Sequence, residues 1–159
     1  MRTFSFLYAD IEASPRLLEK YVLLDWVHAN NGVTASTLRG GMISGCNVRF
    51  LFITNIGGNF RMEDEDYKQQ GLYIFPDNLY FHVLDKWHIG NKAQILMTPD
   101  NYAAEYDIEP IIRAGRDDFR ELHNAEPIPV LDTAEWKARV AMQPGFNGKQ
   151  APHHQRLVI

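Results

Sequence analysis

Residues 48–55 read VRFLFITN, and this stretch decides how the chain is expected to fold. Apolar side chains fill five of its eight positions, and aromatic or β-branched residues are typical of strands. A strand that is apolar on both of its faces belongs in the middle of a covered sheet, because either face would otherwise meet water. The sequence therefore predicts a central, buried strand here.

Other strands are predicted on both sides of this segment along the chain. Alternation of apolar residues and intervening turn residues mark their limits. The predicted strands are Thr3–Tyr8, Leu72–Phe75, Leu79–Trp87 and Lys92–Thr98, with turns at Pro76-Asp77-Asn78 and Gly90-Asn91. The last three follow one another closely, so we expect an antiparallel meander.

Helices are predicted before and after this run of strands. Capping residues, helical apolar spacing and glycine stops give their limits. The predicted helices cover 14–30, 33–42, a segment that begins near Asp107 and a segment capped by Asp132 or Thr133. Grouped strands with separate helices favour an α+β fold over a doubly wound one. We expect a mainly antiparallel sheet of five to six strands with helices packed on one side.

The length of 159 residues fits one domain. We assign residues 1–142 to it and 143–159 to an irregular tail, because that last stretch holds two Pro, two Gly and two adjacent His. No apolar run reaches the roughly 18 residues that a membrane span needs. The single cysteine, Cys46, excludes an internal disulfide and favours a cytoplasmic location.

Acidic residues are concentrated in the middle of the chain. The formal net charge is −4, and residues 63–126 hold fourteen Asp or Glu against six Lys or Arg. Glu63, Asp64, Glu65 and Asp66 stand in a row there, and we predict that they contact a basic protein partner. Nucleic acid is an unlikely ligand, because binding to a phosphate backbone needs clustered basic residues.

Two carboxylates lie at the end of the first predicted strand. Asp10 and Glu12 are separated by one residue, so they share a strand face. Such a pair can hold Mg²⁺ or Mn²⁺ for phosphodiester hydrolysis. They are candidate catalytic residues, and the alternative is that they are solvated groups in front of a helix.

Residues 4–14, FSFLYADIEAS, resemble the first motif of the DnaQ-type 3′–5′ exonucleases. Residues 123–125 (HNA) and 130–133 (VLDT) are similar to later stretches of that family. The resemblance implies a metal-dependent nuclease with Asp10 and Glu12 as ligands. The sequence departs from the family at 126–129 (EPIP), where an aspartate is expected, so the family is not assigned.

A second candidate site lies on the strand predicted at 79–87 and the residue after it. Tyr80, His82, Lys86 and His88 alternate and therefore share one face by the period of two. Aromatic, titratable and cationic groups on one face are typical of a ligand pocket or an interface. His82 and His88 are candidate catalytic residues, and Tyr80, Lys86 and Arg39 are candidate ligand-binding groups, with Arg39 or Lys86 for anions.

Two classes of function remain open from the sequence. The first is a protein-binding or inhibitor-type module that occludes a partner and needs no cofactor. The alternative is a small enzyme that acts on a nucleotide or another phosphate-containing metabolite. It could be a divalent-metal hydrolase that uses Asp10 and Glu12, and it alone would involve Mg²⁺ or Mn²⁺. The aromatic content of 12% is compatible with burial of surface in a homo-oligomer.

Overall fold

Within the part of the chain that the structure describes, the fold consists of one seven-stranded sheet with three helices. The structure, a computed structural model, describes residues 5–54, 69–99 and 107–146. The strands follow the spatial order β2-β6-β7-β4-β1-β3-β5. The elements are β1 (Ser5–Ile11), α1 (Leu17–Lys20), β2 (Trp26–Ala29), β3 (Thr34–Ser36), β4 (Val48–Thr54), β5 (Leu72–Ile74), β6 (Leu79–Ile89), β7 (Lys92–Pro99), α2 (Ile108–Leu122) and α3 (Ala134–Arg139).

Strand β4 lies in the middle of the sheet, as its sequence predicts. It pairs with β1 antiparallel and with β7 parallel, and the other strand pairs are antiparallel. Phe50, Leu51, Phe52 and Ile53 are fully buried. The mixed α+β class and the mostly antiparallel sheet are thus confirmed, although seven strands form where five to six were predicted.

The sheet carries an apolar core on each of its two faces. One core includes Leu17 of α1 and Trp136 of α3, and the other includes Ile111 and Leu122 of α2. The prediction that the helices pack on one side is therefore wrong. Its physical reason is strand β4, whose alternate residues are all apolar or buried and must be covered from both directions.

The prediction of a long helix over 14–30 is also wrong. Only α1 is helical, and the following Tyr21 is already extended. Leu24 has a positive φ of 66°, which no right-handed helix contains. Residues 26–29 form β2 because they pair with β6, and Val27 and Ala29 alternate toward the core. The helix predicted over 33–42 is replaced by β3 and a loop.

The predicted meander is correct only for its last two strands. β6 and β7 form a hairpin, and Gly90 occupies its turn with a φ of 60°. β5 instead pairs with β3 at the far side of the sheet. A β-bulge interrupts β6 between Val83 and Asp85, and this irregularity changes which side chains share a face beyond it.

The predicted caps of the last two helices are confirmed. The Asp107 side chain accepts a hydrogen bond from the backbone N–H of Glu109, and Thr133 accepts one from Trp136. Gln143 and Phe146, assigned to the tail, are buried against the domain, and residues 147–159 lie outside the described part. The domain boundary at 142 stays a prediction. No helix in the described residues could cross a membrane.

Phe52 tests the dependence of the fold on β4. Its ring is fully buried and lies 5.3 Å from Phe75 and 5.4 Å from Phe81, between ring centroids. We expect Phe52→Ala to lower the free energy of unfolding in urea by about 3–5 kcal/mol, because the substitution leaves a cavity. Asn124→Ala, at an exposed position outside the core, is the control and should change it by less than about 0.5 kcal/mol. Equal effects would contradict the central placement.

Candidate functional site

A buried ion pair joins the middle strands of the sheet. Arg49 Nε donates to Asp10 Oδ1 over 2.7 Å, and Arg49 Nη2 donates to Asp10 Oδ2 over 2.9 Å. The backbone N–H of Ile43 adds a third hydrogen bond, 3.1 Å from Asp10 Oδ2. Both side chains are 3% exposed. Burial alone would lower the pKa of Arg49, but Asp10 outweighs it and the pKa lies above its ordinary value.

Tyr8 connects this pair to helix α2. The Arg49 guanidinium lies 5.0 Å from the centroid of the Tyr8 ring. The Tyr8 hydroxyl donates to Asp118 Oδ2 over 2.8 Å, and Asp118 is also buried. Burial first, and the charge of Asp118 second, raise the pKa of Tyr8 well above its usual range. Tyr8 is therefore a fixed hydrogen-bond donor at neutral pH.

Arg39 carries the network to the surface. Its Nε donates to Asp118 Oδ1 and its Nη2 donates to Glu121 Oε2, each over 2.6 Å. The Arg39 side chain is 47% exposed, so one end of the network faces solvent. The hydrogen bond to Asp118 raises the pKa of Arg39. The two carboxylates hold the guanidinium in one plane.

An open cleft of about 480 Å³ lies between Arg39 and one face of α2. That volume is within the range of small-molecule sites. Its helical residues recur at spacings of three and four, which is one side of an α-helix. The lining residues are Arg39, Pro110, Arg113, Ala114, Asp117, Asp118 and Glu121. The cleft therefore offers guanidinium donors and carboxylate acceptors side by side.

The predicted carboxylate pair is separated by burial. Asp10 is enclosed with Arg49, whereas Glu12 is exposed at the surface. A metal ion at Asp10 would have to displace the guanidinium and a backbone donor. These contacts favour a structural role for Asp10 over the predicted role as a metal ligand. Among the residues that the structure describes, no three His, Cys, Asp or Glu side chains are grouped to hold a metal ion.

The bulge in β6 divides the second candidate site. Tyr80 and His82 lie beside β2, next to His28 and Trp26. Beyond the bulge, Lys86 Nζ donates to the carbonyl oxygen of Leu18 in α1 over 3.0 Å. The prediction that Lys86 shares a face with Tyr80 and His82 is thus wrong, because the extra residue reverses the alternation.

Of the predicted site residues, Arg39 alone lines the cleft. His88 is exposed on β6. The acidic run at 63–66 lies outside the described residues, so its contact with a basic partner stays a prediction.

Sequence reasoning missed Tyr8, Arg49, Asp118 and Glu121. Arg49 did carry a signal, because a cation inside an apolar strand requires a buried counter-charge, and Asp10 was available on the first strand. Asp118 and Glu121 gave no such signal, since acidic residues are ordinary on a helix.

Cys46 lies close to the buried ion pair but is unsuited to nucleophilic chemistry. Burial first, and Asp10 second, raise the pKa of its thiol to about 12. The reactive thiolate is therefore scarce at neutral pH. Cys46 is a small buried side chain of the core.

No protein-family model and no curated protein matches the sequence. Similar solved structures include the ADP-ribosyltransferase HopU1 of Pseudomonas syringae, with 10% identity, a TM-score of 0.47, and coverage of 61% of this chain and 45% of that one. Exoenzyme S from Pseudomonas aeruginosa has 11% identity, a TM-score of 0.49, and coverage of 67% and 52%. The Vis toxin, an ADP-ribosyltransferase from Vibrio splendidus, has 17% identity, a TM-score of 0.44, and coverage of 63% and 50%.

These likenesses correct the main functional prediction. The three matched proteins are described as transferases, toxins or exoenzymes, which contradicts the interpretation of this chain as an occluding inhibitor-type module, and that interpretation is not kept. The match spans about half the length of those three structures. At these identities and TM-scores, no site residue or substrate transfers to this chain.

Asp10→Asn tests the structural role of the ion pair. We expect a loss of about 3–5 kcal/mol in the free energy of unfolding, because Arg49 stays charged and buried without its counter-charge. The double variant Asp10→Leu/Arg49→Met should recover most of this loss, since neither charge remains. Glu12→Gln, at an exposed position just after β1, is the matched control and should have little effect. A small effect of Asp10→Asn in urea unfolding would refute the structural role.

Proposed function

We propose that the chain is a small enzyme that acts on a nucleotide or another phosphate-containing metabolite, and that its ligand occupies the α2 cleft. The observation that carries this proposal is the placement of Arg39. Its guanidinium stands half exposed at the wall of the cleft, where Asp118 and Glu121 fix its plane. A fixed, always-charged guanidinium is well suited to phosphate oxygens.

Arg113 supplies a second cation on the same side of α2. Its Nη2 lies 3.1 Å from Oε1 of Glu109 in an exposed i,i+4 pair, with the side chains 68% and 76% exposed. Such surface pairs contribute little free energy, so a phosphate can replace Glu109 at small cost. We infer that Arg39 and Arg113 bind the phosphate of the ligand.

The carboxylates of the cleft favour a ligand that carries hydrogen-bond donors. Asp117 and Glu121 line the cleft and, when ionised, only accept hydrogen bonds. Asp117 already accepts from Arg120 and Glu121 from Arg39, but each carboxylate keeps further lone pairs to which the hydroxyl groups of a ribose can donate. This favours a nucleotide over a simple anion.

Glu121 is our candidate general base. Its carboxylate is 67% exposed and its contact with Arg39 can be exchanged for a ligand phosphate. Once it is released, Glu121 can accept a proton from a ligand hydroxyl or from water within hydrogen-bond reach. Asp118 is buried and holds Tyr8 and Arg39, so we assign it a positioning role.

The charges of the cleft also limit the ligand. Three carboxylates face two guanidiniums, so added negative charge meets net repulsion. We therefore infer that a monophosphate or diphosphate binds better than a triphosphate. Of the three similar proteins described above, two are named ADP-ribosyltransferases and the third is bound to carba-NAD. The ligand class proposed for this chain, a nucleotide or another phosphate-containing metabolite, rests on the groups that line the cleft.

Calorimetric titration with AMP, ADP, ATP and inorganic phosphate tests binding. We expect ADP and AMP to bind more tightly than ATP or phosphate, and Arg39→Ala to weaken ADP binding at least about tenfold, since hydrogen bonds to charged groups contribute about 1.5–3 kcal/mol. Arg16→Ala, at an exposed arginine outside the cleft lining, is the matched control and should leave the affinity unchanged. Equal ADP affinity in Arg39→Ala and wild type would contradict the proposed site.

Turnover tests the enzymatic part separately. Nucleotides that bind are incubated with the protein, and their products are separated by chromatography. We expect Glu121→Gln to lower kcat by about 10²–10⁴-fold, as for loss of a general base, and to raise the ligand Kd much less, because the amide oxygen can still accept from Arg39. Binding without any product, or full turnover in Glu121→Gln, would refute the assigned role.

A further inference from the structure

A ladder of four rings lies at the β2 edge of the sheet, apart from the α2 cleft. Trp26 stacks on His82 with centroids 4.7 Å apart and planes 15° apart. His28 lies over Tyr80 with centroids 4.6 Å apart. Trp26 is 42% exposed and Tyr80 is 54% exposed. The ring ladder, defined as these four residues, is thus an aromatic surface that is partly exposed to solvent.

Three successive apolar side chains precede this ladder. Val22, Leu23 and Leu24 are 56%, 52% and 58% exposed. Leu24 has a φ of 66°, a conformation that is uncommon for residues other than glycine. Its N–H donates to Val83 over 2.7 Å, and its carbonyl oxygen lies 3.0 Å from His82 Nε2. The apolar loop, residues 22–24, is therefore attached to the ladder and held in a strained conformation.

The combined patch is large for a surface that stays in water. Taking about 150–250 Å² for a large side chain, the five exposed residues present on the order of 500 Å² of mostly apolar surface. Isolated proteins rarely leave a contiguous apolar patch beyond a few hundred Å². The same residues supply more than half of the roughly 800 Å² that each partner contributes to a stable interface.

The edge of β2 is closed to an additional strand. The N–H of Trp26 donates to Asp25 Oδ1 over 2.8 Å, and the carbonyl of His28 accepts from the N–H of Gly145 over 3.0 Å. Pairing of the sheet with another strand would have to break both hydrogen bonds. The partner must therefore dock on the side chains rather than on the backbone.

The character of the patch points to a second copy of the same chain. Between residues 22 and 29 the only charged side chain is Asp25, so a strongly charged partner would find almost no counter-charge. The patch instead combines exposed aliphatic side chains with partly exposed aromatic rings. A two-fold axis places each of these against the other, which is the requirement for a self-complementary interface.

We propose that the chain forms a two-fold dimer in which the apolar loop of each copy packs on the ring ladder of the other. Leu23 lies against the Trp26 of the second copy, twice per dimer. The interface leaves the α2 cleft out, so the dimer is independent of the proposed enzymatic function.

Sedimentation velocity from about 1 to about 200 µM tests the dimer, because dissociation constants in this range correspond to about 8 to 5 kcal/mol. We expect wild type to double its mass with a Kd in the micromolar range. Leu23→Lys and Trp26→Asp should each raise that Kd at least about 100-fold, because each places two unpaired charges in the interface. Asn91→Asp adds a charge at an exposed turn outside the patch and is the matched control.

Mixing the two variants distinguishes this two-fold geometry from a general loss of non-specific apolar association. A heterodimer of Leu23→Lys with Trp26→Asp contains one native contact and one Lys–Asp pair, so the mixture should dimerise although neither variant does alone. Melting curves check that both variants are folded, and Tyr80→Asp replaces Trp26→Asp if the latter is not. A wild type that stays monomeric, or a mixture that does not dimerise, would overturn the proposal.

Discussion

The structure depends on the burial of strand β4 from both faces. Its alternate residues pack into two separate cores, and no single layer of helices could cover them. One of its positions nevertheless holds Arg49, whose charge is too costly to bury alone. Asp10 on the neighbouring strand is therefore as much a part of the β4 core as any apolar side chain, and the pair fixes the register between the two strands.

The same ion pair begins the network that reaches the α2 cleft. Arg49 packs on Tyr8, Tyr8 holds Asp118, and Asp118 holds Arg39. Each link is buried except the last, so the exposed guanidinium rests on a rigid support. A binding group that is fixed before its ligand arrives loses little entropy on binding. Arg113 and Arg120 of α2 differ from Arg39 in this respect, because their partners are exposed carboxylates four and three residues away.

The sequence could reveal the strands and the last two helices because their signals are local. The apolar run at 48–54, the alternation in β6 and the caps Asp107 and Thr133 act within a few residues. The prediction for segment 14–30 was wrong because its apolar spacing suits a helix, whereas the pairing of β2 with β6 decides the conformation of residues 26–29. The prediction of the site residues was incomplete for a related reason. Arg39 and Asp118 are 79 residues apart, and a bulge at Val83 moves Lys86 to another face, so neither relation exists locally.

Departures from local rules are concentrated at the two surfaces proposed here. A natural sequence tends to satisfy propensity, burial and charge pairing together, and the exceptions are expected at functional positions. The cleft concentrates acidic groups around two guanidiniums, and the edge patch holds a strained Leu24 beside exposed aromatic rings. A ligand with both phosphate and hydroxyl groups would pair with the charged groups of the cleft. Apolar contact with a second copy would remove the edge patch from water. Different forces act at the two places, so ligand binding and dimerisation can be altered independently.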